Sequence, residues 1–181
     1  MIMDTPHMPR IVESDPRFPL VLHALSLHPR PLWPGGTTAV PSARLDPDLS
    51  RALRSVHHAG RAVRGLEKAE HRLAREEQGL LLADQQGGAR RGVRVSRLLV
   101  LSDDGAERFY RRVDSLLRRH GPRVLALRLD AGASTLGEML FGPGRMARLI
   151  MIEHKEAVSS VLLALAGQGA AGPVDTGSPK Q

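Results

Sequence analysis

Arg97-Leu98-Leu99-Val100-Leu101, Val124-Leu125-Ala126-Leu127-Arg128-Leu129 and Ala147-Arg148-Leu149-Ile150-Met151-Ile152 are three short apolar runs, each ending in a turn signal and each leading into a helical pattern. Residues 97–166 therefore read as three cycles of strand, loop and amphipathic helix. That alternation predicts βαβ units and a parallel or mostly parallel sheet covered by helices, which is the α/β class. In the first cycle, Phe109, Val113, Leu116 and Leu117 form an apolar stripe between Ala106 and His120. Arg108, Arg111, Arg112, Arg118 and Arg119 cover its solvent side, and Gly121-Pro122 ends the helix. Ser134 is read as the cap of a short helix holding Leu136, Met139 and Leu140, closed by Gly142-Pro143-Gly144. A last helix spans Lys155 to Ala166.

Upstream, Asp46-Pro47-Asp48 opens a helix: a carboxylate to cap, proline in the first turn, and an acid to complement the dipole. Leu49, Leu53 and Val56 follow at helical spacing. Beyond Gly60 two readings compete, one long helix to about residue 84, or a short strand around Arg61–Arg64 and a second helix from Gly65. The bracketing of Ala62-Val63 by Gly60 and Gly65 favours the second. Gln85 to Gly92 is a loop by composition.

Residues 1–46 carry eight prolines and read as an N-terminal arm. Proline removes backbone donors and prevents long helices and central strands. The arm also carries Phe18, Leu20, Val21, Leu22, Leu25, Leu27 and Trp33, so it is expected to wrap in extended form against the domain or a partner. The domain itself is placed at 47–166. Residues 167–181, rich in Gly, Ala, Pro and Ser, read as a flexible tail.

The chain has 181 residues and a net charge of +7, which suits one domain with extensions. Of its 26 basic residues only Lys68, Lys155 and Lys180 are lysine. Arginine suits phosphate forks, although a GC-rich genome gives the same bias. Absence of cysteine excludes disulfides, thiolate metal sites and cysteine nucleophiles. No apolar run approaches the roughly 20 residues of a membrane helix, and Phe18 to Leu27 lacks the basic flank of a signal core. A soluble cytoplasmic protein that makes no membrane contact is the expectation.

Charge points to the upstream segment. From Arg51 to Arg97 there are eleven basic residues against five acidic ones, +6 of the chain's +7. Such a field could attract a polyanion, although a solvated helix face is the commoner reason for a charge run. Aromatic residues are few, so backbone and shape recognition is expected over base stacking.

Taken together, Ala59-Gly60-Arg61-Ala62-Val63-Arg64-Gly65 and the helix after it resemble the ribosomal "L-seven-Ae" family of kink-turn RNA-binding proteins. Leu98 to Asp104 resembles the family's strand ending in an acidic pair, and Arg118 to Leu125 its helix-end, glycine and next strand. Leu136-Gly137-Glu138-Met139-Leu140-Phe141-Gly142 resembles its Leu-Gly-x-x-x-Gly block. The resemblance covers about 49–166. It implies a three-layer α/β/α sandwich around a small mixed, mostly parallel sheet, and RNA binding without catalysis or cofactor. In the family signature Gly-x-Asn-Glu-x-x-Lys, this chain keeps Gly65 but has Glu67 for the asparagine and His71 for the lysine. By carry-over Gly65, Glu67, Lys68 and His71 would lie at the RNA, with Arg145 on the neighbouring loop. Charge adds Arg61, Arg64 and Arg72 beside them and Arg91 in the following basic loop.

The leading expectation is thus a non-enzymatic protein for structured RNA, ribosomal or within another ribonucleoprotein. The alternative is a protein–protein adaptor or structural subunit of a larger assembly, using the N-terminal arm and the arginine-rich helix. A third reading, a degenerate receiver domain, rests on Asp103-Asp104 at a strand end. A carboxylate that caps a helix at Asp104 is the simpler reading. His57-His58 and Glu153-His154 suggest no metal site, because neighbouring helical side chains diverge by about 100° and no third ligand is placed.

Overall fold

The computed structural model describes residues 6–87 and 94–171. Five strands form its main sheet: β3 (Ser42–Ala43), β4 (Ala62–Arg64), β5 (Arg97–Leu101), β6 (Val124–Leu129) and β7 (Leu149–Ile152). Two more, β1 (Arg30–Pro31) and β2 (Ala39–Val40), form an antiparallel ribbon. The helices are α1 (Arg10–Glu13), α2 (Phe18–Ser26), α3 (Pro47–His58), α4 (Leu66–Gly87), α5 (Glu107–His120), α6 (Ala133–Phe141), α7 (Lys155–Leu163) and α8 (Ala166–Ala170).

The apolar runs are continuous because both sheet faces are covered. Leu98, Val100, Leu127, Leu129, Ile150 and Ile152 enter one core, shared with α1, α2, α3, α6, α7 and α8. The alternate residues Leu99, Leu101, Val124, Ala126, Leu149 and Met151 enter a second core with α4, α5 and the β1–β2 ribbon. The result is a three-layer α/β/α sandwich.

Sheet order is β3-β6-β5-β7-β4. Strands β3 and β5 are parallel to β6, whereas β7 is antiparallel to both β5 and β4. Four strands therefore share a direction and β7 opposes them, so β6–α6–β7 is not the parallel βαβ unit that the alternation suggests. The reason is the return path after α6. Nine helical residues advance roughly 13 Å, a distance that the short segment after them can retrace. That segment lies back along the helix, with the Ala147 N–H donating to the Ala133 carbonyl at 2.9 Å. The close approach requires Gly137, where a Cβ would collide with the Arg145 carbonyl. The chain thus re-enters the sheet at the edge it left, and Leu149 pairs with Leu101 at the end of β5.

Other expectations fare unequally. Asp46 caps α3, accepting from the Leu49 N–H at 2.8 Å, and β4 forms between the two glycines. Ser134 lies inside α6 and is not its cap; the Ala133 N–H donates instead to the Asp104 carboxylate at 3.1 Å. Tyr110 lies buried on α5, its hydroxyl donating to the Ser102 carbonyl at 2.6 Å, while Phe109 is only half-buried. Helix α4 continues through Gly87, three residues into the expected loop, whose remainder lies outside the described residues.

The N-terminal segment is not extended throughout. Its prolines stand where helices tolerate them, Pro9 just before α1 and Pro19 in the first turn of α2. Met8, Val12 and Val21 are fully buried in the first core, and β3 forms a sheet edge. At the other terminus Gln168 is buried and binds the Arg44 backbone through both ends of its amide, at 2.9 and 2.8 Å. The expected tail therefore begins as part of the fold, and residues 172–181 lie outside the described residues.

Candidate nucleic-acid interface

Strands β4 and β5 end at the same end of the sheet and lead into helices on the second face, β4 through Gly65 alone and β5 through residues 102–106. Between them β7 begins, so its entry loop fills the gap. At β4 the turn is made by Gly65, whose φ of +101° falls where side chains are disfavoured. Its N–H donates to the Leu149 carbonyl at 2.9 Å, and its carbonyl accepts from the Ala69 N–H at 3.1 Å. Helix α4 thus starts tight against the sheet, its first-turn amides at the sheet edge. Helix α5 starts after Ala106, with no side-chain cap.

These three segments enclose an open groove of about 790 Å³. Arg64 and Lys68 stand on the α4 side, Arg108 and Arg112 on the α5 side, and Arg145 and Arg148 on the β7 entry loop. Glu67 is the one carboxylate among the lining residues, and Leu66, Phe109, Met146, Ala147 and Leu149 supply apolar surface. Lys68, Arg108, Arg112, Arg145 and Arg148 are exposed. Arg64 is half-buried, with its guanidinium 4.8 Å from the Phe141 ring centre. Arg112 pairs with Glu70 at 2.8 Å, which ties α5 to α4.

Nearby, desolvation opposes ionisation of Asp104, but hydrogen bonds, that from the Ala133 N–H first among them, and to a smaller degree the charge of Arg148 hold its carboxyl below the usual carboxylate range. Its carboxylate accepts from the Ala133 N–H at the start of α6, the helix-capping role expected of Asp104.

Of the residues expected at the RNA, the fold brings Arg64, Gly65, Glu67, Lys68 and Arg145 together. It separates Arg61 and Arg72 from them. Strand β4 carries Arg61 at its opposite end, where its carbonyl accepts from the Glu153 N–H at 2.9 Å. Two turns along α4, Arg72 returns to that same end and pairs with Glu153 at 2.7 Å. His71 is exposed but does not line the groove, and Arg91 lies outside the described residues.

The sequence reading missed Arg108, Arg112 and Arg148. The first two have a signal, their spacing of four on one helix face, but that is also the pattern of plain solvent cover. Much of the 51–97 charge is spent internally, in pairs of Arg51 with Asp48, Arg72 with Glu153, Arg94 with Glu13 and Arg97 with Glu76. The fold rebuilds a positive field at the groove from residues distant in sequence.

No family model and no curated protein matches the chain. Among solved structures, the chain is similar to a protein of unknown function from Bacillus halodurans, at 20% identity and a TM-score of 0.39. That match covers 67% of this chain and 97% of the other, and at that score it carries no argument about function.

Proposed function

We propose that the chain is a non-enzymatic binding protein for structured RNA. The observation that carries this reading is the groove's charge, six cationic side chains against one carboxylate on a concave surface where two helices begin. Helix starts favour anions, and arginine forks match phosphate oxygens. Apolar patches between the cations leave room for sugar and base contacts, while the scarcity of aromatic side chains favours backbone recognition over stacking. Resemblance to the "L-seven-Ae" family suggests the same ligand class at the start of α4. A cytoplasmic location accompanies the proposal; among the described residues no helix is long and apolar enough to cross a membrane. The adaptor alternative has less to draw on, because Met8, Val12 and Val21 of the segment meant to reach a partner pack into the chain's own core.

A direct test is fluorescence anisotropy with a labelled RNA hairpin, titrated over about 50 to 200 mM salt. Phosphate contacts predict a linear fall of log affinity with log salt, with a slope near −0.7 to −0.9 per contact. Absence of a nuclease-sensitive complex at the lowest salt would overturn the proposal.

A further inference from the structure

We infer that α5 and Arg148 carry a second row of phosphate contacts, so that the groove takes two adjacent backbone segments of a folded RNA; this rests on the RNA-binding reading above. Arg108 and Arg112 are four residues apart on α5, hence on one helix face, and both line the groove. Opposite them stand Arg64 and Lys68, at the end of β4 and in the first turn of α4. The two helices pack on the same sheet face, are joined by the Glu70–Arg112 pair, and begin at the same edge. Packed helices lie about 8–10 Å apart, so the two sets of cations form opposing banks.

A single strand following one bank would leave the exposed cations of the other, Arg108 and Arg148, without phosphates. Two backbone segments held side by side, as in a folded RNA, would satisfy both. Arginine is the residue type throughout the second row, and its planar fork fits phosphate better than a lysine ammonium does. The start of α5 reinforces the row, since its first amides have no side-chain cap. None of these second-row residues belongs to the segment that the family resemblance maps onto RNA.

The test uses the full chain and two labelled probes, an RNA hairpin with an internal loop and an unstructured RNA strand of equal length. Anisotropy over about 50 to 200 mM salt compares the wild type, Lys68→Gln, and the double variant Arg108→Gln/Arg148→Gln. Both positions of the double variant are exposed, so an unchanged unfolding midpoint verifies the fold. The expected result is a hairpin slope reduced by about 1.4 to 1.8, the equivalent of two contacts, with little change for the single strand. Lys68→Gln should lower the slope for both probes. An unchanged hairpin slope in the double variant, beside a reduced one in Lys68→Gln, would overturn the second row and spare the RNA reading. Equal losses on both probes would overturn the two-segment geometry. Failure of the wild type to bind either RNA would remove the RNA reading, and this inference with it.

Discussion

At the Gly65 end of α4, arginines from three segments face a groove with one carboxylate between them. Further along the same helix, a carboxylate is matched to two arginines. Glu76 accepts from Arg97 at 2.9 Å and from Arg123 at 2.8 Å, and all three side chains are largely shielded from water. Burial opposes ionisation of Glu76, but Arg123 and Arg97 outweigh it and hold the carboxyl below the usual carboxylate range. Arg72, half exposed, pairs with Glu153 at 2.7 Å at the far end of β4. One residue type thus does two jobs along one helix. Where a carboxylate is within reach, arginine fastens helix to sheet. At the groove Arg112 is paired with Glu70, whereas Lys68, Arg108, Arg145 and Arg148 stand exposed, and net charge along the sequence does not distinguish the two cases.

The largest effect should come from the contact that shapes the groove floor. Gly137→Val places side-chain atoms where the Arg145 backbone runs, so the β7 entry loop must move or α6 must tilt. A loss of about 2–4 kcal/mol is expected in urea unfolding, together with weakened RNA binding. A variant of wild-type stability would mean that the loop has another way to pack.

Next comes the matched end. Glu76→Gln removes the charge that Arg97 and Arg123 share and should cost about 1–3 kcal/mol, with RNA affinity held or slightly raised. Lost RNA binding in a folded Glu76→Gln protein would blur the distinction between the two ends.

A smaller effect is expected from acid. His120 is buried near Glu76, Glu77, Arg119 and Arg123, and neither ring nitrogen has a hydrogen-bond partner among the described residues. Burial and then Arg123 hold its imidazolium below the usual histidine range, with Glu77, 3.9 Å away, opposing them. The unfolded chain therefore binds the proton more readily than the folded one. This contribution to stability is complete above the ordinary histidine value near 6.5 and is lost as pH falls through it toward the lowered folded value. Thermal midpoints measured from pH 7.5 to 5 should decline, and His120→Leu should flatten that part of the curve. A parallel decline in the variant would assign the acid sensitivity elsewhere.

Much of the fold was legible because local chemistry dictates it. The runs at 97–101 and 124–129 become β5 and β6 residue for residue, since double-sided burial demands unbroken apolar sequence. The glycines at 60 and 65 frame β4, and Asp46-Pro47 starts α3. The direction of β7 was not legible, because it depends on a loop folding back onto Gly137 and no local pattern encodes that. Nor were α1 and α2, since proline density warns against long helices but permits short ones begun by proline. Of the site, the Gly65 turn was visible and the α5 bank was not. Arg108 and Arg112 reach the groove only because β4 pairs beyond β7, and nothing in the sequence near them marks that pairing.

Paired variants at the two ends of α4 decide which arginines and lysines meet RNA. Hairpin RNA affinity at low salt should be compared for the groove pair Lys68→Gln/Arg145→Gln and the opposite-end pair Arg61→Gln/Arg72→Gln. The groove pair should lose affinity and about two contacts of salt dependence, while the opposite pair stays near the wild type. Equal losses, or a larger loss from Arg61 and Arg72, would contradict the placement of the RNA site at the groove.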